Sequence, residues 1–269
     1  HKEYRRQRQM CIRDSSGPWL ETENVVFKNM AQFLEISDAS ESQWAYSVSW
    51  FDCANSATGK GIFMRGNHAH YPERKLPKDK SISFPIVPPV SLVNQLSVKA
   101  ISKIYYAMNA RKKGIHVTHY QPFFYPLDAI RYWNRMYGKQ GFYQHQCVVP
   151  RVGGEETLNR IIETIHHAKQ GSFLGVLKTF GDRKPAGLLS FARSGITLAL
   201  DFPNLGTKTL DLLDSLDDIV VSVGGAVNPS KDARMSRATF ESGFPNFQEF
   251  NQYRDPGITS GLSRRLLGS

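Results

Sequence analysis

Cysteine is scarce in this sequence, and the few cysteines lie far apart. Cys11, Cys53 and Cys147 include no CxxC pair and no spacing that would suit zinc. We therefore expect small buried or incidental thiols in a protein of a reducing compartment, and no metal site.

The sequence also lacks the run of about 18 to 20 apolar residues that a membrane-spanning helix requires. Its most apolar region, residues 82–93, is interrupted by three prolines. No apolar run follows the charges at the N-terminus, so a secretory signal is not expected. These features predict a soluble, cytoplasmic protein, with 82–93 as either a mobile loop or a peripheral contact with the inner membrane.

Positive charge is in excess, with a formal net charge of +10. Apart from short clusters such as 111–113, the lysines and arginines beyond the N-terminus are scattered, so we expect no nucleic-acid partner. A solvated basic face explains such a distribution. A phosphate-bearing substrate or an anionic membrane surface is the functional alternative.

The first fifteen residues differ from the rest because they show no apolar period. Residues 1–15 resemble translated adapter sequence at the end of a gene fragment. We expect the natural chain to continue upstream of about Ser16, with an ordinary basic arm as the alternative.

From Pro18 onward, strand-like and helix-like segments alternate. Helices are predicted at 27–36, 92–108, 127–136, 155–169 and 207–223, and strands at 46–52, 61–65, 115–124, 141–149 and 173–180, with a hairpin of 188–192 and 196–202. One side of the helix at 92–108 is expected to be covered by Leu92, Leu96, Val98, Ile101, Ile104 and Tyr105. This order predicts an α+β fold in which helices cover an antiparallel sheet.

Nucleophile elbows, phosphate loops, zinc-type His-Glu pairs and the GxGxxG motif are all absent. Candidate binding residues lie on strands instead. Gln144 and Gln146 project to one face, where two amides suit adjacent sugar hydroxyls; the exposed polar face of an edge strand is the alternative. Lys178 shares its face with apolar residues, so it lies at a pocket rim or extends to solvent.

Several strings in a fixed order carry a family resemblance. They are YSVSWFDC (46–53), MRGNHA (64–69), FYPLDAIRYWNRMYG (124–138), YQHQCVVP (143–150), LKTFG (177–181), LALDFPN (198–204) and GGAVNPSKDARMS (224–236). Together they resemble FAD-linked oxidases of the vanillyl-alcohol-oxidase superfamily, and most closely the branch that oxidises a polyprenylphosphoryl ribose. The resemblance extends over nearly everything from Trp19 onward.

The resemblance implies a domain organisation, because the flavin domain of that family is split in sequence. Residues 16–225 would form the substrate-binding domain, and 226–269 the returning C-terminal helical tail of the FAD-binding domain. The pyrophosphate-binding loops and the active-site histidine of the family would precede this chain. We therefore expect a fragment that is inactive alone.

The resemblance also implies FAD as cofactor, with Lys231 as the catalytic residue at the flavin. Lys231 would stabilise negative charge at the flavin N1 and C2 carbonyl as hydride arrives. Asn228 stands beside the flavin where the branch has a tyrosine, and Ala199 replaces a cysteine that covalent inhibitors attack in some members. The implied substrate-binding positions are Gln144, Gln146, Lys178, Trp50, Phe124, Leu127, Ile130, Trp133 and Val176.

The implied reaction oxidises a secondary alcohol of a sugar to a ketone and passes hydride to FAD. The favoured substrate is polyprenylphosphoryl ribose, a lipid-linked sugar phosphate used for cell-wall precursors, and a short-chain reductase partner would complete an epimerisation. One alternative is an aldonolactone or alditol oxidase of the same superfamily. The other is a non-catalytic sugar- or lipid-binding module.

Overall fold

The computed structural model describes residues 17–55, 58–77, 81–172, 174–255 and 257–268. The segment 1–15, for which an adapter origin is predicted, lies outside these ranges, as does the first residue of the strand predicted at 173–180.

An eight-stranded antiparallel sheet organises the described residues. Its strands are β1 (Trp19–Phe27), β2 (Tyr46–Phe51), β3 (Gly61–Ala69), β5 (Ile115–His119), β7 (Phe142–Val149), β8 (Val176–Phe180), β9 (Gly195–Pro203) and β10 (Ala226–Val227). They are arranged in the order β10-β7-β9-β8-β2-β3-β1-β5. The short strands β4 (Ile82–Ser83) and β6 (Ile130–Arg131) form a separate parallel pair.

Helices lie against both faces of this sheet. They are α1 (Met30–Glu41), α2 (Gln95–Ala110), α3 (Tyr120–Phe124), α4 (Gly154–Ala168), α5 (Thr207–Ser222), α6 (Arg237–Gly243), α7 (Phe247–Gln252) and α8 (Gly261–Leu267). Helices α1, α4 and α5 contribute to the main core on one face, and α2 contacts β1 and β3. The predicted α+β fold, an antiparallel sheet covered by helices, is therefore confirmed.

Helix α4 shows why the core lies where it does. Its apolar residues recur at helical spacing, and Leu158, Ile161, Ile162 and Ile165 are each 1% exposed or less. They pack in one cluster with the inward residues of β7 and β9. The helices predicted at 155–169 and 207–223 and the strand predicted at 141–149 are confirmed to within a residue or two.

The C-terminal tail turns tightly back onto the sheet at two glycines. Gly224 adopts a left-handed φ of +71° after α5, and a Cβ on Gly225 would lie 2.6 Å from the carbonyl oxygen of Val148. This close approach lets β10 pair with β7. The tail then adds Phe240, Phe244 and other apolar residues to the main core. The domain boundary after residue 225 stays a prediction.

A buried network of charges also joins the tail to α5 and β7. Arg234 pairs with Asp217 at 2.9 Å and with Asp214 at 2.6 Å. Asp217, 3% exposed, lies 2.9 Å from the Nε2 of His145 on the core side of β7. Asp232 accepts the backbone N–H groups of Arg234 and Met235. Asp232 and Arg234 of the SKDAR string therefore anchor the tail.

Three predicted elements were wrong in type or partner. The strand predicted at 115–124 ends at His119 and is followed by helix α3. The His119 side chain caps this helix, and the first turn of the helix accommodates Pro122. The helix predicted at 127–136 is two 3-10 turns separated by β6, because Tyr132 has a left-handed φ of 59°. The hairpin of 188–192 does not form, because β7 and β8 occupy both edges of β9.

Two other predictions were wrong in extent or orientation. Phe27 ends strand β1 and does not begin the helix predicted at 27–36. In α2, Val98 is buried, whereas Leu96, Ile101 and Ile104 are exposed. None of the helices in the described part of the chain is long and apolar enough to cross a bilayer.

We expect Arg234→Met to lower the free energy of unfolding by about 3 kcal/mol, because it leaves the Asp217 carboxyl group buried without its arginine partner. The control is Arg237→Met, which breaks the exposed pair with Glu241 and should cost less than about 1 kcal/mol. Urea denaturation at neutral pH measures both. Equal losses in the two variants would contradict the buried network.

Candidate substrate and cofactor site

Three neighbouring strands direct polar side chains to the sheet face opposite the main core. Gln144 lies opposite Asp201, and Lys178 lies opposite Thr197. Residues paired across antiparallel strands share one face, and so do alternate residues along a strand. Gln146 therefore joins the same group, which we call the polar face: Gln144, Gln146, Lys178, Thr197, Asp201 and Asn228.

Gln144 is oriented by a buried carboxyl group. Its amide nitrogen donates to Asp201 Oδ1 at 2.8 Å, and Asp201 is only 2% exposed. Burial raises the pKa of Asp201 from its ordinary 3.8 to about 6, although the Gln144 hydrogen bond and the charge of Lys231 oppose that rise. Because an ionised carboxylate only accepts hydrogen bonds, the Gln144 NH2 group faces Asp201. The Gln144 carbonyl oxygen is then an acceptor directed elsewhere.

Gln146 is held in a directed chain of hydrogen bonds that begins in the tail. Ser230 donates to Asn228 Oδ1 from both its backbone N–H at 3.1 Å and its hydroxyl at 2.8 Å. Asn228 Nδ2 donates to Gln146 Oε1 at 2.9 Å, and Gln146 Nε2 donates to Thr197 Oγ1 at 3.2 Å. The Gln146 carbonyl oxygen is therefore occupied by Asn228, and the second N–H of the Gln146 amide remains available as a donor.

Two lysines border these amides. Lys231 is exposed and follows Asn228 in a turn closed by its own backbone N–H at 3.2 Å. Lys178 is also exposed, yet desolvation of its ammonium group and then the nearby charge of Lys231 lower its pKa. No side-chain hydrogen bond or ion pair of either lysine occurs within the described ranges. Two like charges are therefore close together without a salt-bridge partner.

Apolar residues continue the polar face toward β2 and toward the start of β7. Trp50, 5% exposed, lies opposite Val176 and packs on Tyr105 of α2 with 4.8 Å between ring centroids. Trp133 packs on Phe142, two residues before Gln144, at 5.5 Å. Both tryptophans are thus held against the same side of the sheet.

The other three predicted wall residues lie apart from the amides. Phe124 packs edge-on against Tyr46 with 4.9 Å between centroids, four residues from Trp50 along β2. Leu127 and Ile130 line an open depression beside Trp133. The structure therefore divides the predicted positions into a central group around the two glutamines and a peripheral group on the segment 124–130. Their roles in binding stay predictions.

Sequence reasoning did not assign Asp201 or Thr197 to the site. Both lie on β9, which is buried along most of its length, so a pattern search finds a core strand there. A carboxyl group within that apolar run was the available signal, since buried carboxyl groups need a partner. The hydrogen bond of Asn228 to Gln146 had no signal in the sequence, because it joins residues 82 positions apart.

Comparisons with known proteins give a partial match. Over 249 residues the chain is 33% identical to decaprenylphosphoryl-β-D-ribose oxidase of Mycolicibacterium smegmatis, which covers 86% of this chain and 53% of that protein. The resemblance seen in the motifs is thereby confirmed. A Streptomyces coelicolor protein, described as an uncharacterized protein in the mprA 5' region, is 33% identical over 132 residues, covering 47% of this chain and 35% of that one. The chain thus spans about half or less of the curated relatives it matches.

A solved structure with some likeness is a variant of berberine bridge enzyme described as a reticuline dehydrogenase. The two structures align with a TM-score of 0.40 and 11% sequence identity. The alignment covers 89% of this chain and 46% of the chain of that enzyme. At that level the likeness carries no functional meaning. No family model matches the chain.

Asp201 should make stability depend on pH. Its pKa is raised to about 6 in the folded state, so the folded protein keeps a proton that the unfolded chain releases. Its contribution to stability is therefore lost as pH rises from about 4 to about 6, by up to roughly 3 kcal/mol. We expect Asp201→Asn to gain stability relative to the wild type over that interval in urea denaturation. A constant difference across the interval would contradict this assignment.

Asn228 should control the orientation of the Gln146 amide. Asn228→Asp replaces the Nδ2 donor with an acceptor that faces Gln146 Oε1, which forces the Gln146 amide to turn, so that Nε2 donates to residue 228 and Oε1 accepts from the Thr197 hydroxyl. We expect a shifted Gln146 side-chain amide signal in NMR spectra and a loss of about 0.5 to 1.5 kcal/mol in the free energy of unfolding. Asn228→Ala is the control that removes the bond without adding an opposed acceptor. An unmoved Gln146 signal in Asn228→Asp would contradict the hydrogen-bond chain.

Proposed function

We propose that this chain forms the substrate side of an FAD-dependent oxidoreductase that oxidises a secondary alcohol of a sugar, with polyprenylphosphoryl ribose as the favoured substrate. The observation that carries the proposal is the pair of lysines, Lys178 and Lys231, beside two oriented amides. Neighbouring ammonium groups repel each other, and an anionic ligand between them would remove that repulsion.

The two amides offer complementary hydrogen bonds to a sugar. Gln144 presents a carbonyl acceptor because its NH2 group faces Asp201. Gln146 presents an N–H donor because its carbonyl accepts from Asn228. Neighbouring sugar hydroxyls each donate and accept, so an acceptor and a donor two residues apart on one strand face suit two of them. The ammonium groups of Lys178 and Lys231 would then bind the phosphate group of a sugar phosphate.

Lys231 also suits a site beside a flavin. FAD, when bound, would accept hydride from the oxidised carbon. Lys231 is exposed and without a salt-bridge partner within the described ranges, so its ammonium is available to negative charge developing at N1 and the C2 carbonyl. Asn228 is committed to Gln146 and Ser230, and we assign it to positioning Gln146 and not to a direct flavin contact.

The similarity to decaprenylphosphoryl-β-D-ribose oxidase supports both the reaction and the substrate class. The chain covers 53% of that protein, so this support is for one part of such an enzyme. A keto-sugar product would call for a reductase to complete an epimerisation, and we propose a short-chain reductase as that partner.

The test follows flavin reduction in the chain joined to the pyrophosphate-binding part of a flavin domain that the proposal requires. A short-chain prenylphosphoryl ribose is mixed with the FAD-loaded protein without oxygen, and loss of flavin absorbance is recorded. We expect Lys231→Met to slow that loss by about 10² to 10³, because one preorganised charge no longer favours the transition state. The matched control, Lys184→Met, changes an exposed lysine on the 181–194 segment and should have no effect.

Other outcomes decide between the alternatives. Reduction by an alditol or aldonolactone but not by the prenylphosphoryl ribose would favour the second oxidase class. Sugar binding without flavin loading, and no pyrophosphate-binding loops upstream, would favour a non-catalytic module. Equal rates in Lys231→Met and the wild type would remove Lys231 from the mechanism.

A further inference from the structure

Helix α2 presents its apolar side away from the sheet. Leu96 is 80% exposed, Ile104 59% and Met108 60%, whereas Ser102 is 1% exposed and Asn109 9%. At 3.6 residues per turn, the exposed apolar residues occupy one continuous arc, and Val98, Ser102 and Asn109 occupy the opposite one. Asn109 is held there by Asn24 of β1, whose amide donates to it at 3.4 Å. The inward side of the helix therefore includes Val98, Ser102 and Asn109, and the outward side is apolar.

The segment preceding α2 in the sequence also contains exposed apolar residues. Ile82 is 76% exposed, Ile86 66% and Val90 70%. Val90 lies beside Gln95 and Val98, at the start of the helix. Single exposed apolar residues are ordinary, but a helix face and an adjoining loop that are both apolar mark a binding surface.

The same part of the chain carries charge of only one sign. Between residues 81 and 127 the sequence contains no aspartate and no glutamate. It contains five cations: Lys99, Lys103, Arg111, Lys112 and Lys113. All but Lys99 are exposed. Lys103 borders the apolar arc of α2, and the cluster 111–113 follows its last turn.

We propose that the outward face of α2, bordered by Lys103 and followed by the cluster 111–113, is an interfacial surface that binds an anionic lipid bilayer. Aliphatic side chains bordered by lysine and arginine are the combination that inserts at a bilayer surface while its charges meet acidic headgroups. The sequence predicts 82–93 as either a mobile loop or a peripheral contact with the inner membrane. The exposed arc of α2 is more regular and lies next to the cations, so the proposed contact centres on this helix.

Charge and side-chain type favour a bilayer over other occupants. A second copy binding through the same face would oppose two sets of like charges. A nucleic acid would meet leucine, isoleucine and methionine side chains, which form no hydrogen bonds with phosphates or base edges. An anionic bilayer matches both the apolar arc and the basic border.

This surface lies beside the candidate site but does not depend on it. Tyr105, on the inward side of α2, packs on Trp50 next to the polar face. A bilayer on the outward side would thus hold a lipid-linked sugar close to the site, if the proposed substrate is right. Vesicle binding is measured without flavin or sugar, so it can succeed where the proposed oxidation fails.

The test is flotation of the 269-residue chain with vesicles of phosphatidylcholine alone or mixed with one quarter phosphatidylglycerol. We expect binding to the anionic vesicles only, reduced by high salt. Lys103→Gln with Arg111→Gln should weaken binding about 25-fold, since each charge near the surface accounts for about fivefold. Ile104→Asp with Met108→Asp should abolish it.

Matched controls lie elsewhere on the surface. Val152→Asp changes an apolar residue that is 94% exposed near the start of α4, and Lys184→Gln removes an exposed cation; both should bind like the wild type. Melting temperatures within a few degrees of the wild type would show that the α2 variants fold. Equal vesicle binding by folded Ile104→Asp with Met108→Asp would overturn the proposal. So would a wild-type dimer that this variant dissociates, with no vesicle binding by either.

Discussion

The register of β9 between β7 and β8 is the constraint on which the polar face depends. It places Asp201 opposite Gln144 and Thr197 opposite Lys178. A slip of one residue would turn Leu198 and Leu200 onto this face and bury the polar residues in the main core. That core contains both leucines at 1% exposure or less, so burial of apolar surface fixes the register that the site requires.

Some charged groups of the polar face destabilise the folded state, and they do so only locally. Asp201 is buried strongly enough to raise its pKa to about 6, and two ammonium groups lie near each other at the edge. Neither arrangement favours folding, because burial and like charge both disfavour the charged forms. Such unfavourable electrostatics are typical of sites that bind a ligand of complementary charge. The surrounding sheet, with its apolar core on the opposite face, compensates for them.

Much of the fold could be predicted because it depends on apolar periodicity. Helix α4 and strand β7 have regular patterns, and both were placed to within a residue or two. Elements governed by backbone details were not: the left-handed Tyr132 divides a predicted helix, and β9 has no free edge for residues 188–192. The orientation predicted for helix α2 was wrong for another reason. Periodicity places the apolar side of a helix against a core, whereas the apolar residues of α2 face outward. Gln144 and Gln146 were found by alternation, but Asp201 and the Asn228 contact depend on tertiary pairing.

The position of Lys231 follows from two anchors on opposite faces of β7. Three residues before it, Asn228 binds Gln146 on the polar face. Three residues after it, Arg234 reaches Asp217, which binds His145 on the core face. Because His145 and Gln146 are consecutive, the tail is attached to both sides of one short piece of strand.

That double attachment limits where the backbone of Lys231 can move, although its side chain stays exposed. An ammonium group that must meet developing negative charge is most effective when its position is fixed before the ligand arrives. Each anchor alone would allow the turn to pivot about it. With both anchors in place, the backbone of Lys231 is held in position by contacts of Asn228 and Arg234, and not by contacts of the lysine side chain.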